Sequence, residues 1–150
     1  MQKITLREIK KEDKISIFKW SNLKSIRNYS LSKNRISLKE HEKWFNRKLK
    51  SKKDIIKIAN IPNNDIGLVR IEKKRKYYYL SYLILPKFRR KGYGFRTLKI
   101  LINFVKQERK ISKIIANVNK KNYASIKIFK KLNFVEKQSR LNIITFEYKI

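Results

Sequence analysis

The segment Leu85, Pro86, Lys87, Phe88, Arg89, Arg90, Lys91, Gly92, Tyr93, Gly94 holds the densest chemistry in the sequence. Gly92 and Gly94 allow a close backbone bend, so amides at a following helix start could converge on one anion, with the helix dipole adding attraction. Arg89, Arg90 and Lys91 ring that bend with positive charge. A phosphate suits such a nest; the plainer reading is a basic surface turn with glycines for geometry. The glycines are too few for a dinucleotide fingerprint, and no Walker lysine with Ser or Thr follows Gly94, which disfavours NAD and ATP. Elsewhere chemistry is sparse, since the chain has no cysteine and one histidine, His41. Disulfides, thiolate catalysis and Cys-ligated zinc are thereby excluded, and neither a Ser, His, Asp arrangement nor a metal-binding carboxylate cluster is visible.

Certain elements must position that bend. Lys3 to Ile9 alternates with period two and predicts a first strand, ended by the charged run Lys10 to Lys14. Ile15, Ile17, Phe18, Trp20 and Leu23 suit a short helix, followed by a second short stretch through Ile26 and Tyr29. Ser37 and Glu40 form a capping box that launches a helix to about Lys50, with Leu38, His41, Trp44, Phe45 and Leu49 on one stripe. Asp54 to Ala59, Ile66 to Glu72 and Tyr77 to Leu85 predict three neighbouring antiparallel strands, joined by a turn at Asn60 to Asn64 and by the charged tetrad Lys73 to Lys76. Gly67 marks a bulge, a close ligand approach or simple turn geometry. Beyond Gly94 the apolar period becomes helical through Phe95, Leu98, Leu101, Ile102 and Val105. A strand at Ile111 to Val118, a helix at Tyr123 to Leu132 and strands at Phe134 to Ser139 and Ile143 to Ile150 complete an α/β layering with a mixed sheet.

Two of these segments together resemble the GCN5-related N-acetyltransferase (GNAT) superfamily. Its acetyl-CoA signature, Arg or Gln, two residues, Gly, one residue, Gly or Ala, is matched by Arg89 to Gly94. The second segment, Asn122-Tyr-Ala-Ser-Ile-Lys-Ile-Phe-Lys-Lys-Leu-Asn-Phe134, is similar to the family's helix and turn with Asn, Ser, Tyr and a final Gly-Phe. The resemblance covers essentially Gln2 to Tyr148. It implies an α/β (α+β) fold with a mostly antiparallel sheet of about seven strands, helices on both faces, and a splay between strands 4 and 5. Acetyl-CoA is the implied donor, its pyrophosphate on the amides from Arg90 through Lys91, Gly92, Tyr93 and Gly94 to Phe95, with Arg89 and Arg90 as charge partners. Pantetheine is expected between Tyr77 to Leu85 and Ile111 to Val118. Pro86 independently favours a break in pairing there. Asn122 would reach the groove and Ser125 the phosphate side; their plainer readings are an N-cap and an internally bonded helix serine.

Acetyl transfer to an amine needs a neutral amine, alignment, oxyanion donors and a proton for the leaving thiolate. With no cysteine to carry an acetyl group, direct attack in a ternary complex is expected, and the resemblance places oxyanion donors at amides from Leu83 to Leu85. The family's usual Tyr acid is Phe129 here, which cannot donate a proton. Tyr82, Tyr123 and Tyr79 are the substitutes, unless the thiol needs none. His41 has three readings: a base acting through water, a substrate-positioning residue, or a helix-face histidine packed by Trp44. Asn133 stands for the usual Gly after the helix, as the non-Gly residue most tolerant of a left-handed C-cap.

The N-terminal set Trp20, Ser21, Asn22, Ile26, Arg27, Ile36, Ser37, Leu38, His41, Trp44 and Phe45 is similar to acetyltransferases that modify nucleotide-linked amino sugars. It makes Trp20, Asn22, Arg27, His41 and Trp44 the candidate acceptor contacts, although Ser21 stands where Arg is common. The expected partner is a UDP-linked amino sugar, with a protein or peptide N-terminus as the alternative. Of the 41 basic residues against 11 acidic ones, 30 are lysines, and Lys, Ile and Asn together fill 66 of 150 positions. Composition drift accounts for much of that bias, so the net charge of +30 identifies no partner by itself. A nucleic-acid-binding module would need a basic stripe with exposed aromatics between its cations, which periodicity does not establish; no specific nucleic acid is expected. The length fits one domain over 1–150, monomeric or homodimeric. No apolar run reaches membrane-span length and Met1 to Glu8 reads as a strand, so a cytoplasmic location without membrane contact is expected.

Overall fold

The computed structural model describes residues 1–108 and 111–150. Its strands are β1 (Thr5–Glu8), β2 (Ile55–Ile61), β3 (Asn64–Lys74), β4 (Tyr77–Ile84), β5 (Lys113–Asn119), β6 (Val135–Arg140) and β7 (Ile143–Lys149). They form one sheet in the order β1-β2-β3-β4-β5-β7-β6. Every neighbouring pair is antiparallel except β4 with β5. The helices are α1 (Lys14–Ser21), α2 (Lys24–Arg27), α3 (Leu38–Lys50), α4 (Tyr93–Glu108) and α5 (Tyr123–Lys131). This is the mixed, mostly antiparallel sheet with helices on both faces that the family resemblance implies.

Alternation assigns the two faces. Val69, Ile71, Leu80, Ile114, Ala116, Val118 and Phe146 pack with Leu98, Leu101, Ile102 and Val105 of α4 and Phe129 of α5. Ile56, Ile58 and Leu68 point the other way, onto Ile17 of α1 and Phe45 of α3. Each such Leu, Ile or Phe side chain taken fully from water contributes about 1.5–3 kcal/mol, which fixes the helices to their respective faces. The capping box forms as expected: Ser37 Oγ accepts the Glu40 N–H (3.2 Å), and Glu40 returns a bond to the Ser37 N–H (3.4 Å).

Three local features shape the chemistry. The register of β2 against β3 slips between Ala59 and Asn60, opposite Gly67 and Asp65. Of the three readings of Gly67 the structure shows the bulge, with Ile66 as the residue left out of the register beside it, and a Cβ at Gly67 would run into the Leu83 carbonyl oxygen. Asn133 adopts φ 66°. Its N–H donates to the Lys130 carbonyl (3.0 Å) and the Phe134 N–H to that of Phe129 (3.0 Å), the two bonds of a Schellman stop. At the β3–β4 hairpin, Lys73 and Lys74 remain in the ladder opposite Tyr78 and Tyr77. The turn is thus only Arg75 and Lys76, shorter than the expected tetrad, and lysine ammonium groups lie over tyrosine rings across the strands, Lys73 over Tyr78 at 5.5 Å and Lys74 over Tyr79 at 5.6 Å.

Candidate active site

β4 and β5 pair only at Tyr78 with Ile114 and Tyr79 with Ile115. On its other edge β4 stays in register with β3 as far as Ile84, and β5 stays paired with β7 as far as Asn119. The two central strands consequently part beyond Tyr79 and leave a wedge between residues 80–84 and 116–119. The Leu85 N–H donates to the Ile66 carbonyl (2.9 Å). Because backbone groups alternate sides along an antiparallel ladder, Leu83 also turns its N–H to β3, while those of Tyr82 and Ile84 face the wedge. The expectation of donors from Leu83 to Leu85 is corrected to Ile84 alone in that stretch, with Tyr82 added above it. Neither Leu83 nor Leu85 offers a free amide.

Beyond β4 the chain makes a short 3-10 turn at Pro86–Phe88, anchored by buried Phe88. Arg89 Nε donates to the Ile84 carbonyl (3.0 Å), tying the loop back to the strand. Arg90 then takes φ 60° and Gly92 φ 76°. The alternation of left-handed residues turns successive N–H groups to one side, and Arg90 bears the cost of a left-handed backbone in doing so. Among the described residues, the N–H groups of Arg90 to Phe95 make no hydrogen bond within the protein; Arg89 and Arg96 use theirs on Pro86 and Gly92. Gly94 touches the neighbouring helix, where a Cβ would meet Ile128 Cδ1 at 3.0 Å.

The wedge has its own hydroxyls. Tyr82 hydrogen-bonds Ser125 Oγ through its phenol oxygen (2.8 Å) and meets the Phe129 ring edge-on, centroids 6.0 Å apart. Ser125 and Phe129 lie one turn apart on α5, so β4 brings a phenol to the neighbourhood where Phe129 lacks one. Burial pushes the Tyr82 phenol above its ordinary value of 10.0, opposed by the Ser125 bond and by the charge of Arg89, so it is protonated at neutral pH. Phe129 is buried among Phe134 and Phe146. Asn122 is the N-cap of α5, its side chain accepting the Ser125 N–H (3.2 Å), which is its plainer reading. Tyr123 is 73% exposed and is not brought into the wedge. Tyr79 alternates away from Tyr82, onto the face of α1 and α3.

On that second face the acceptor candidates divide. His41 is 3% exposed, its Nε2 donating to the Lys14 carbonyl (2.7 Å) and its ring set against Phe18, Trp44 and Phe45. Burial lowers its pKa below 6.5, with the Lys14 carbonyl opposing. Of the three readings it fits the packed helix-face histidine, with its ring enclosed and Nε2 committed to the Lys14 carbonyl. Asn22 spends both side-chain atoms on Ile36, accepting its N–H (2.8 Å) and donating to its carbonyl (2.9 Å). Trp20 packs at the margin of the Ile17 and Phe45 cluster. Arg27 donates to the Asn34 carbonyl (3.0 Å) and Ser30 Oγ (2.9 Å), yet its buried Nε has no partner. Burial and the nearby charge of Arg70 both lower its pKa. Arg70 itself lies over the Trp44 ring (5.5 Å) and donates from Nε to Ser81 Oγ (3.0 Å). Trp44 donates to Glu72 (3.3 Å), and Lys48 holds both Glu72 (2.9 Å) and Asp54 (2.8 Å). Arg70 and Ser81 escape sequence reasoning because strand alternation alone does not say which helix covers which face.

Among the described residues no group of His, Cys, Asp or Glu could hold a metal ion, and no helix is long and apolar enough to cross a membrane. Solved structures share this architecture. A domain from Methanocaldococcus jannaschii superposes with TM-score 0.84 at 21% identity, covering 100% of both chains. A spermidine N-acetyltransferase from Vibrio cholerae, in complex with CoA and spermine, gives 0.86 at 18% identity over 97% of this chain and 95% of that one. An aminoglycoside acetyltransferase in complex with coenzyme A gives 0.80 at 16% identity over 98% and 95%. These likenesses define an acetyltransferase fold. Residues 3–135 match the acetyltransferase (GNAT) domain family, and the chain belongs to it. No curated protein sequence matches the chain.

Proposed function

We propose that this GNAT acetyltransferase moves an acetyl group from acetyl-CoA to the amine of a nucleotide-linked amino sugar by direct attack. The observation that carries the donor half is the row of unbonded amides from Arg90 to Phe95 beside a wedge in the sheet. A diphosphate fits that row, with Arg89, Arg90 and Lys91 supplying charge, and the wedge edge at Tyr82 and Ile84 offers N–H groups to an extended amide-bearing arm. The V. cholerae and aminoglycoside enzymes, whose structures hold CoA on the same fold, support this.

Acetyl-CoA supplies the thioester: the nitrogen of the neutral amine bonds to the acetyl carbon, the C–S bond breaks, the thiolate takes the Tyr82 phenol proton, and the proton the nitrogen sheds on becoming an amide returns through water to the phenolate. The chain's part is to align and polarise. The N–H of Ile84, nearer the phosphate loop, serves the arm, and that of Tyr82, about 7 Å further along the strand, is the oxyanion donor; the protonated Tyr82 phenol gives its proton to the thiolate, with Ser125 orienting it. No side chain need take the amine's proton, because Arg27 and Arg70 disfavour a cationic amine beside them and favour its loss to water.

The acceptor half rests on charge and on the N-terminal pattern, which resembles the pseudaminic acid pathway enzyme that acetylates a UDP-linked 4-amino sugar. Two guanidinium groups on the acceptor face repel polycations such as spermine and favour an anion. Calorimetry with acetyl-CoA tests the donor half: the wild type binds, while Arg89→Glu and Gly92→Glu bind at least tenfold more weakly. Equal affinity in all three refutes it. Thiol release with nucleotide-linked amino sugars against N-terminal peptides tests the acceptor; turnover of peptides alone reverses the assignment.

A further inference from the structure

At the β3–β4 hairpin, on the face of β4 that also carries Ser81, a hollow of about 580 Å³ is lined by Lys74, Arg75, Lys76, Tyr77 and Tyr79. This is the basic and aromatic juxtaposition that periodicity along the chain does not reveal. Lys76 lies 5.1 Å from the Tyr77 ring centre and Lys74 5.6 Å from that of Tyr79, while Lys113 reaches Tyr77 from β5 at 4.9 Å. Among the described residues, none of Lys74, Arg75 and Lys76 has an ion-pair partner. The nearby carboxylates are engaged, Glu147 with Lys113 (3.3 Å) and Glu72 with Lys48 (2.9 Å). Arg75 holds φ 56° at the hairpin tip, a left-handed conformation that glycine would adopt more cheaply. A second hollow of about 400 Å³, against the C-terminal end of α3, shares Arg75 but has no aromatic lining and contains Asp54.

We infer that the hollow formed by Tyr77, Tyr79, Lys74, Arg75 and Lys76 receives the nucleoside diphosphate end of the acceptor. Cations without a carboxylate partner suit phosphate oxygens, and Tyr79, whose ring carries one lysine among the described residues where that of Tyr77 carries two, offers a base a stacking surface. Position agrees with the chemistry. Along β4, Tyr79 and Tyr77 lie two and four residues from Ser81, about 7 and 14 Å at the rise of an extended strand, all on one face. A sugar amine held near Ser81 and the wedge thus trails its diphosphate and base down β4 toward the hairpin, away from the loop that holds the donor's phosphates. The inference rests on the nucleotide-sugar reading above and adds where the nucleotide is held.

UDP itself is the probe, titrated calorimetrically into the full chain with pyrophosphate and single-stranded oligouridine alongside. The wild type is expected to bind UDP more tightly than pyrophosphate. Tyr79→Ala and the double change Lys74→Glu with Lys76→Glu each weaken UDP at least tenfold, with acetyl-CoA affinity and melting temperature unchanged. UDP affinity indifferent to these changes overturns the inference, as does equal affinity for UDP and pyrophosphate, or binding of the oligouridine without UDP. The two readings fail separately. Turnover of a nucleotide sugar with KM unaltered by the hairpin changes removes the hollow and leaves the reaction; hairpin-dependent UDP binding without such turnover leaves a nucleotide site and removes the sugar acceptor.

Discussion

Tyr82 concentrates three properties in one residue: a backbone amide on the wedge, a phenol bonded to Ser125, and a pKa raised by burial. Replacing it by Phe keeps the ring against Phe129 and removes only the proton. Tyr82→Phe should lower kcat by about 10²-fold with KM for acetyl-CoA nearly unchanged, read by steady-state thiol release. Unchanged kcat would mean that thiolate departure needs no acid. His41 makes the opposite case, a titratable group whose surroundings suit structure. Its folded pKa lies below 6.5, so the unfolded chain binds the proton more readily, and stability present above pH 6.5 is lost as pH falls through the folded value. His41→Gln retains an N–H for the Lys14 carbonyl but does not titrate. Urea unfolding between about pH 7.5 and 5.5 should therefore show a smaller loss in the variant than in the wild type, with kcat near neutrality unaffected. A large fall in kcat would restore His41 to the reaction.

The elements hold the site through a few buried polar ties. Lys48 of α3, at 8% side-chain exposure, joins Asp54 before β2 and Glu72 of β3, at 10% and 13%. Burial works against both carboxylates, yet Lys48 with its neighbouring partners, including Arg70 at Glu72, holds both pKa values below their ordinary 3.8 and 4.5. Lys48→Met leaves two enclosed charges facing each other and should cost about 3–5 kcal/mol near neutral pH, measured by urea denaturation. The deficit should shrink below about pH 4, where those carboxylates protonate and the wild type loses the same stabilisation. Gly67→Ala sets a Cβ against the Leu83 carbonyl and should destabilise by about 1–3 kcal/mol, while distorting the strand beside the wedge. These elements differ in how far they can be read from the chain. The capping box at Ser37, the Asn133 stop and the break at Pro86 are local, and local residues specify them. Arg70 and Ser81 become a pair only through the β3–β4 register, and the Tyr82 phenol reaches Ser125 only because α5 crosses the gap. Asn22 and His41 looked like acceptor contacts because the sequence does not show that backbone groups of Ile36 and Lys14 occupy them.

Across the whole molecule the net charge of +30 has two opposed consequences. It attracts anions to the surface, including the two regions proposed above to receive phosphates, and it opposes compaction through self-repulsion. Only 11 acidic residues answer 41 basic ones, and several are committed to the ties around Arg7, Lys48 and Lys57. Most exposed lysines therefore meet other cations within a Debye length, which shrinks from about 30 Å at 0.01 M salt to about 8 Å at 0.15 M. Raising salt over that range should increase the melting temperature while raising KM for an anionic acceptor and slowing its association. A neutral amine acceptor separates the two effects, since its KM should change far less. If the melting temperature falls with salt instead, specific ion pairs outweigh the general repulsion. If both acceptors respond alike, the field acts through the protein's conformation and not on the charge of what it binds.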